Sequence, residues 1–106
     1  MTYIKVNGTL YPAEIAGRMN DTDWDGRESK AIHLLEAGYA EAIALFEDDT
    51  QWSIVQTYEE LTPPLPPEEW DNSDFSVAGD ITDHRDGTVT VKMGKPTEVE
   101  ELIAVM

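Results

Sequence analysis

The segment Asp80-Ile81-Thr82-Asp83-His84-Arg85-Asp86-Gly87-Thr88-Val89-Thr90-Val91-Lys92-Met93-Gly94-Lys95 constrains the fold more than any other. Alternating residues flank Asp86-Gly87, a pair suited to the backbone of a tight hairpin connection. Val89, Val91 and Met93 then share the inward face of a strand, which commits the architecture to antiparallel β-structure. The same segment holds Asp80, Asp83, His84 and Asp86, whose donor types suit a divalent metal. Turn chemistry accounts for Asp83 and Asp86 without an ion, because Asp is favoured where a chain reverses. The expectation is a hairpin rather than a metal site.

A second hairpin is expected at the start of the chain. Tyr3-Ile4-Lys5-Val6 alternates, Asn7-Gly8 readily takes the positive φ angles of a type I′ turn, and Thr9-Leu10-Tyr11 resumes. Pro12 suits an edge or bulge in the second strand, which runs on to Ala16, and Asn20 to Gly26 reads as a polar turn. Glu28 to Glu36 is expected as the third strand, with Ile32 and Leu34 inward, Lys30 outward, and His33 and Leu35 on the opposite face. Between Gly38 and Phe46 the period changes: Tyr39, Ala42, Ile43 and Phe46 fall on one helical stripe. Gln51 to Tyr58 makes a fourth strand, with Trp52 and Ile54 on one face.

Residues 59–72 contain Pro63-Pro64-Leu65-Pro66-Pro67 and several acids, and read as an extended loop. Asp74 to Thr82 is the expected fifth strand, with Phe75, Val77, Gly79 and Ile81 sharing a face and Gly79 marking a bulge. Thr88 to Met93 is the sixth. Thr97 and Glu100 have the spacing of a capping box, which predicts a short C-terminal helix after Pro96. The fold class is therefore α+β: about six antiparallel strands curled into a roll or small barrel, a short helix after the third strand, and a C-terminal helix. With 106 residues, the chain is expected to form one domain over 1–106.

Charge narrows the partners. Against 22 acidic side chains there are 7 basic ones, a net −15, and a nucleic-acid backbone would be repelled by such a surface. The acids are spread along the chain from Asp21, Asp23 and Asp25 to Glu98, Glu100 and Glu101, the pattern of a solvated acidic coat. The absence of Cys excludes disulfides, thiolate metal sites and cysteine nucleophiles. Met1 to Val6 lacks the basic and apolar regions of a signal peptide, and no apolar run has the length of a membrane span. The expectation is a cytoplasmic protein with no membrane or nucleic-acid partner.

Other candidate sites have plainer explanations. Asp21-Thr22-Asp23-Trp24-Asp25-Gly26 opens like an EF-hand loop, but the position that should offer a bidentate Glu is Ile32, and the flanks read as strands. A solvated turn is expected there. His33 is a lone strand histidine, and neither it nor His84 has a sequence-local nucleophile. Gly94-Lys95-Pro96-Thr97 lacks the upstream glycine of a phosphate loop. The proline tract followed by Trp70 is similar to a polyproline II ligand, yet carries no basic residue nearby, and a stiff loop packing Leu65 or Trp70 on the sheet or a neighbour is expected instead. With so many acids some pair must lie close, so a carboxylate pair alone carries no argument for hydrolysis. No catalytic, metal or cofactor residues are assigned.

Taken together, Tyr3 to Tyr11, Asp23 to Lys30, Leu45-Phe46 with Trp52 to Val55, and the Asp80 to Lys95 segment resemble a small prophage-type protein family of Gram-positive gut bacteria, associated with phage tail and baseplate genes. The resemblance covers most of the chain and carries over no functional residues. It implies a non-enzymatic structural or assembly protein, cytoplasmic or part of a virion, with protein partners: other phage proteins or further copies of itself in a homo-oligomer. Two alternatives stand beside it. One is an acidic protein-binding module, in its sharpest form a DNA mimic, acting on a host or phage protein; the other is a small carboxylate-dependent hydrolase.

Overall fold

A computed structural model describes residues 1–58 and 60–97. The strands are β1 (Thr2–Val6), β2 (Thr9–Asp21), β3 (Arg27–Leu34), β4 (Trp52–Tyr58), β5 (Leu65–Asp71), β6 (Val77–Asp83) and β7 (Val89–Gly94), with one helix, α1 (Tyr39–Leu45), between β3 and β4. All pairings are antiparallel, in the order β5-β4-β1-β2-β3-β7-β6.

That order corrects the expected roll or small barrel of about six strands. The sheet has 7 strands and stays open, with β5 and β6 at its two edges. The additional strand is β5, within residues 59–72, which the prolines had marked as a loop. Proline cannot donate to a ladder, and an edge strand is the place that tolerates this, since one side of its backbone needs no partner. The expected C-terminal helix lies beyond residue 97, outside the described residues.

The Asn7-Gly8 hairpin is as expected: Val6 opposes Thr9, and Asn7 and Gly8 take φ of 52° and 80°. β2 is long because it serves two partners. Its first residues, Thr9 to Pro12, pair with β1, and Ala13 onward pairs with β3. Pro12 sits at the change of partner, where its carbonyl accepts from the Leu35 N–H at 3.1 Å.

The core lies on one face of the sheet. Ile4 and Val6 of β1, Ile32 and Leu34 of β3, Trp52 of β4, and Val89, Val91 and Met93 of β7 are all buried. Facing them, α1 packs against β6 and β7, contributing Ala42, while Phe46 meets Trp52 edge-on at 5.8 Å. Tyr39 and Ile43 of the predicted helical stripe are exposed instead, because the short helix reaches only part of the sheet. After the helix, the Asp48 carboxylate accepts from the Ala78 N–H at 2.9 Å and the Asp49 N–H donates to Ser76 at 2.7 Å, anchoring this connection to the start of β6.

Three further details depart from the sequence reading. The fifth strand of that reading shortens to Val77–Asp83, and the register shifts between Ala78 and Ile81, so the bulge at Gly79 is real. The extra residue turns Ala78 and Ile81 toward the core, instead of Val77, Gly79 and Ile81 together. Phe75 precedes the strand and meets Trp52 at 6.4 Å. The β6–β7 connection spans His84 to Thr88, with positive φ at Arg85 and Gly87, rather than hinging on Asp86-Gly87 alone.

Lys30 also belongs to the core side, not outward, because period two places it with Ile32 and Leu34. Its ammonium bonds Asn72 and lies 4.6 Å from the centre of the Phe75 ring, so an aromatic face and an amide take the place of water.

Candidate functional site

Away from the core, the back of the sheet carries two polar clusters. The first gathers around Asp21, which was expected in a solvated turn but is 0% exposed. Its carboxylate receives the Lys92 ammonium at 2.6 Å, the Ser29 hydroxyl at 2.9 Å, the Arg18 guanidinium at 3.3 Å and the Asp23 N–H at 3.1 Å. Ser29 and Lys92 come from β3 and β7, where alternation places both on the face opposite Ile32 and Val91. The Lys92 bond holds the Asp21 carboxyl below the ordinary aspartate value, with Ser29 and Arg18 adding to it and burial opposing it. A carboxyl held ionised in this way is poorly suited to exchange a proton near neutral pH. Asp23 and Asp25, its neighbours in the loop, are exposed and lie 3.6 Å from Arg18 and Arg27 respectively.

Trp24 closes this cluster. Its ring rests over Gly79 and Gly94, where an added Cβ would come within 2.6 Å and 2.9 Å of it. Arg27 stacks on the ring at 4.6 Å and donates through Nε to the Trp24 carbonyl at 3.2 Å. A cavity of about 240 Å³ lies alongside, lined by Asp23, Trp24, Gly79, Asp80 and Lys92.

The second cluster joins the two histidines. His33 of β3 lies directly across from Thr90 of β7, and the β6–β7 connection brings His84 to the same side chain. His33 Nδ1 and His84 Nε2 lie 3.0 Å and 2.7 Å from Thr90 Oγ1, with ring centres 5.2 Å apart. A hydroxyl has one proton, so Thr90 donates to one imidazole and accepts an N–H from the other. The trio fastens the connection to β3. Sequence spacing gave no hint of it, since it depends on the β3–β7 register.

The carboxylates beside His84 do not converge. Asp83 accepts from the Arg85 N–H at 2.9 Å, and Asp86 accepts from the Thr88 N–H at 2.9 Å and the Thr88 hydroxyl at 2.5 Å. The Thr88 bonds draw the Asp86 carboxyl below its ordinary value. These acids shape the turn, as their spacing implied. Among the described residues, no group of three or more His, Cys, Asp or Glu side chains is placed to hold a metal. Lys95, in the rejected phosphate-loop segment, pairs with Glu28 at 3.0 Å and Asp74 at 3.3 Å, which raise its pKa.

The third region is the edge strand β5, all seven of whose residues are exposed. Glu69 and Asp71 lie on the back of the sheet opposite Val55 and Ser53, and Lys5 reaches Glu69 at 3.2 Å. Glu68 and Trp70 lie on the core side, across from Gln56 and Ile54, where Trp70 remains 48% exposed. Leu65 and Trp70 are each about half exposed at this edge. Beside β5, Lys5, Ser53, Glu69, Asp71 and Ser73 border a shallow cleft of about 260 Å³.

No protein-family model, curated protein or solved structure matches this chain. Among the described residues, no helix is long and apolar enough to cross a membrane.

Proposed function

We propose that this chain is a non-enzymatic assembly or protein-interaction module, of the kind expected beside prophage tail and baseplate genes. The observation that carries the reading is the open sheet, whose edge strand β5 presents an acidic, exposed surface with a half-exposed tryptophan. Exposed aromatics on strand edges are a recurrent means of holding protein partners. Asp21, Asp71 and Asp86 are each held below the ordinary aspartate value by their hydrogen-bond partners, which makes these three carboxyls poorly suited to act as general acids.

Light scattering on the purified chain, alone and mixed with the products of genes adjacent to its own, tests the proposal. A discrete complex or a defined oligomer is expected. A monomer in every mixture, combined with turnover of glycoside or ester substrates, would favour the hydrolase alternative and overturn it. The net charge of −15 favours one variant of the same reading, an acidic module that mimics DNA. That variant requires binding to a basic DNA-binding protein that collapses as salt is raised.

A further inference from the structure

We infer that β5 accepts an extended, basic segment of a partner protein as an additional strand, an inference that rests on the interaction-module reading above. The backbone sets the geometry. The Asn72 N–H donates to the Trp52 carbonyl at 2.9 Å, and on the other side of β4 the Thr57 N–H donates to the Met1 carbonyl at 2.9 Å. In an antiparallel ladder, residues of one parity turn their peptide groups to one neighbour and the other parity away from it. Trp52, Ile54 and Gln56 therefore face β5, where Asn72, Trp70 and Glu68 respectively meet them. The peptide groups of Glu69 and Asp71 point outward, where nothing among the described residues pairs with them. Pro67, next in that parity, offers only its carbonyl, so the open stretch is short and its register is defined.

Side chains then specify the partner. A residue placed opposite Glu69 or Asp71 meets a carboxylate, and one placed opposite Trp70 meets an exposed indole. The complementary strand reads basic, apolar, basic. A second copy of this chain is disfavoured at this edge, because Glu68, Glu69 and Asp71 would face the same charges again. The chain's own Glu98, Glu100 and Glu101 carry that sign as well. The prolines and acids that guard the edge against like strands thus leave it open to a basic one. Each edge strand carries a register shift, but that of β5 falls at Pro66-Pro67, outside the open stretch, whereas that of β6 falls between Ala78 and Ile81 in mid-strand, which makes the opposite edge less suited.

Calorimetric titration of the full chain with a capped peptide of alternating lysine and valine tests this. Glu69→Pro removes an outward N–H that β4 does not use, so the fold is expected to persist while affinity falls by at least about tenfold. The double change Glu69→Lys with Asp71→Lys is expected to lose the lysine peptide and gain a matching glutamate–valine peptide. Unchanged affinity in both variants would overturn the β5 assignment while leaving an acidic interaction module in place. No binding of the lysine peptide to the wild type, with complexes still forming with neighbouring gene products, would overturn the basic-strand inference alone; no binding in either experiment would overturn both.

Discussion

Replacing Trp52 with phenylalanine probes the core face of the sheet most sharply. Trp52 is 1% exposed, stands edge-on between Phe46 and Phe75, and donates its indole N–H to the Phe75 carbonyl at 3.2 Å. Phenylalanine keeps an aromatic ring there but removes the donor, and leaving a buried carbonyl without its partner costs about 1–3 kcal/mol. The smaller ring also leaves a void larger than a methyl group, which adds about 1 kcal/mol. The sum, about 2–4 kcal/mol, is a large part of the roughly 5–15 kcal/mol that holds a typical domain together. At about 4–8 °C per kcal/mol for a domain near this size, the midpoint of thermal unfolding should fall by roughly 10–30 °C. Trp70→Phe is the control: half-exposed at the sheet edge, it should change stability by no more than about 0.5 kcal/mol. Both are read by far-ultraviolet circular dichroism during heating, with urea titration as a check. Equal shifts in the two variants, or a Trp52→Phe shift under about 3 °C, would show that the Trp52 indole does not anchor the core in this way.

Two further outcomes follow from the back of the sheet. Asp21 titrates below the ordinary aspartate value of 3.8 in the folded chain, so the unfolded chain binds more protons in that range. Its contribution is complete above 3.8 and is lost as pH falls through the folded value; Asp21→Asn should therefore be less stable at neutral pH and lose less stability on acidification, as urea titrations at several pH values would show. Gly79→Ala would place a Cβ 2.6 Å from the Trp24 ring, and is expected to destabilise the chain by about 1–3 kcal/mol and increase Trp24 exposure, read by unfolding and by acrylamide quenching against a Trp24→Phe background.

Local signals in the chain were legible where the physics is local. Asn7-Gly8 dictates its turn through backbone φ alone, Val89, Val91 and Met93 announce their face by alternation, and the stretch around Ala42 announces a helix by its period. Gly79 marked its bulge for the same reason. What depends on register was not legible. Asp21 looks like any loop acid until β3 and β7 bring Ser29 and Lys92 to it, and His33 looks solitary until Thr90 and His84 arrive. Lys30 was misplaced for a different reason: its charge argued for solvent, whereas its position two residues from Ile32 put it on the core side, where Phe75 and Asn72 receive it. Pro66 and Pro67 concealed β5, since proline signals a loop until the segment is known to be an edge. The candidate interaction surface was thus hidden by the residues that keep its outer side sparsely paired.

Residue-resolved amide hydrogen exchange along β5 reads which of its N–H groups are open to a partner strand. In the free chain, slow exchange is expected at Glu68 and Trp70, whose N–H groups face β4, and fast exchange at Glu69 and Asp71, whose N–H groups face outward. Addition of the lysine–valine peptide should slow Glu69 and Asp71 selectively. Uniform exchange across these four residues, or no peptide-dependent slowing at Glu69 and Asp71, would rule out β5 as an open, strand-accepting edge.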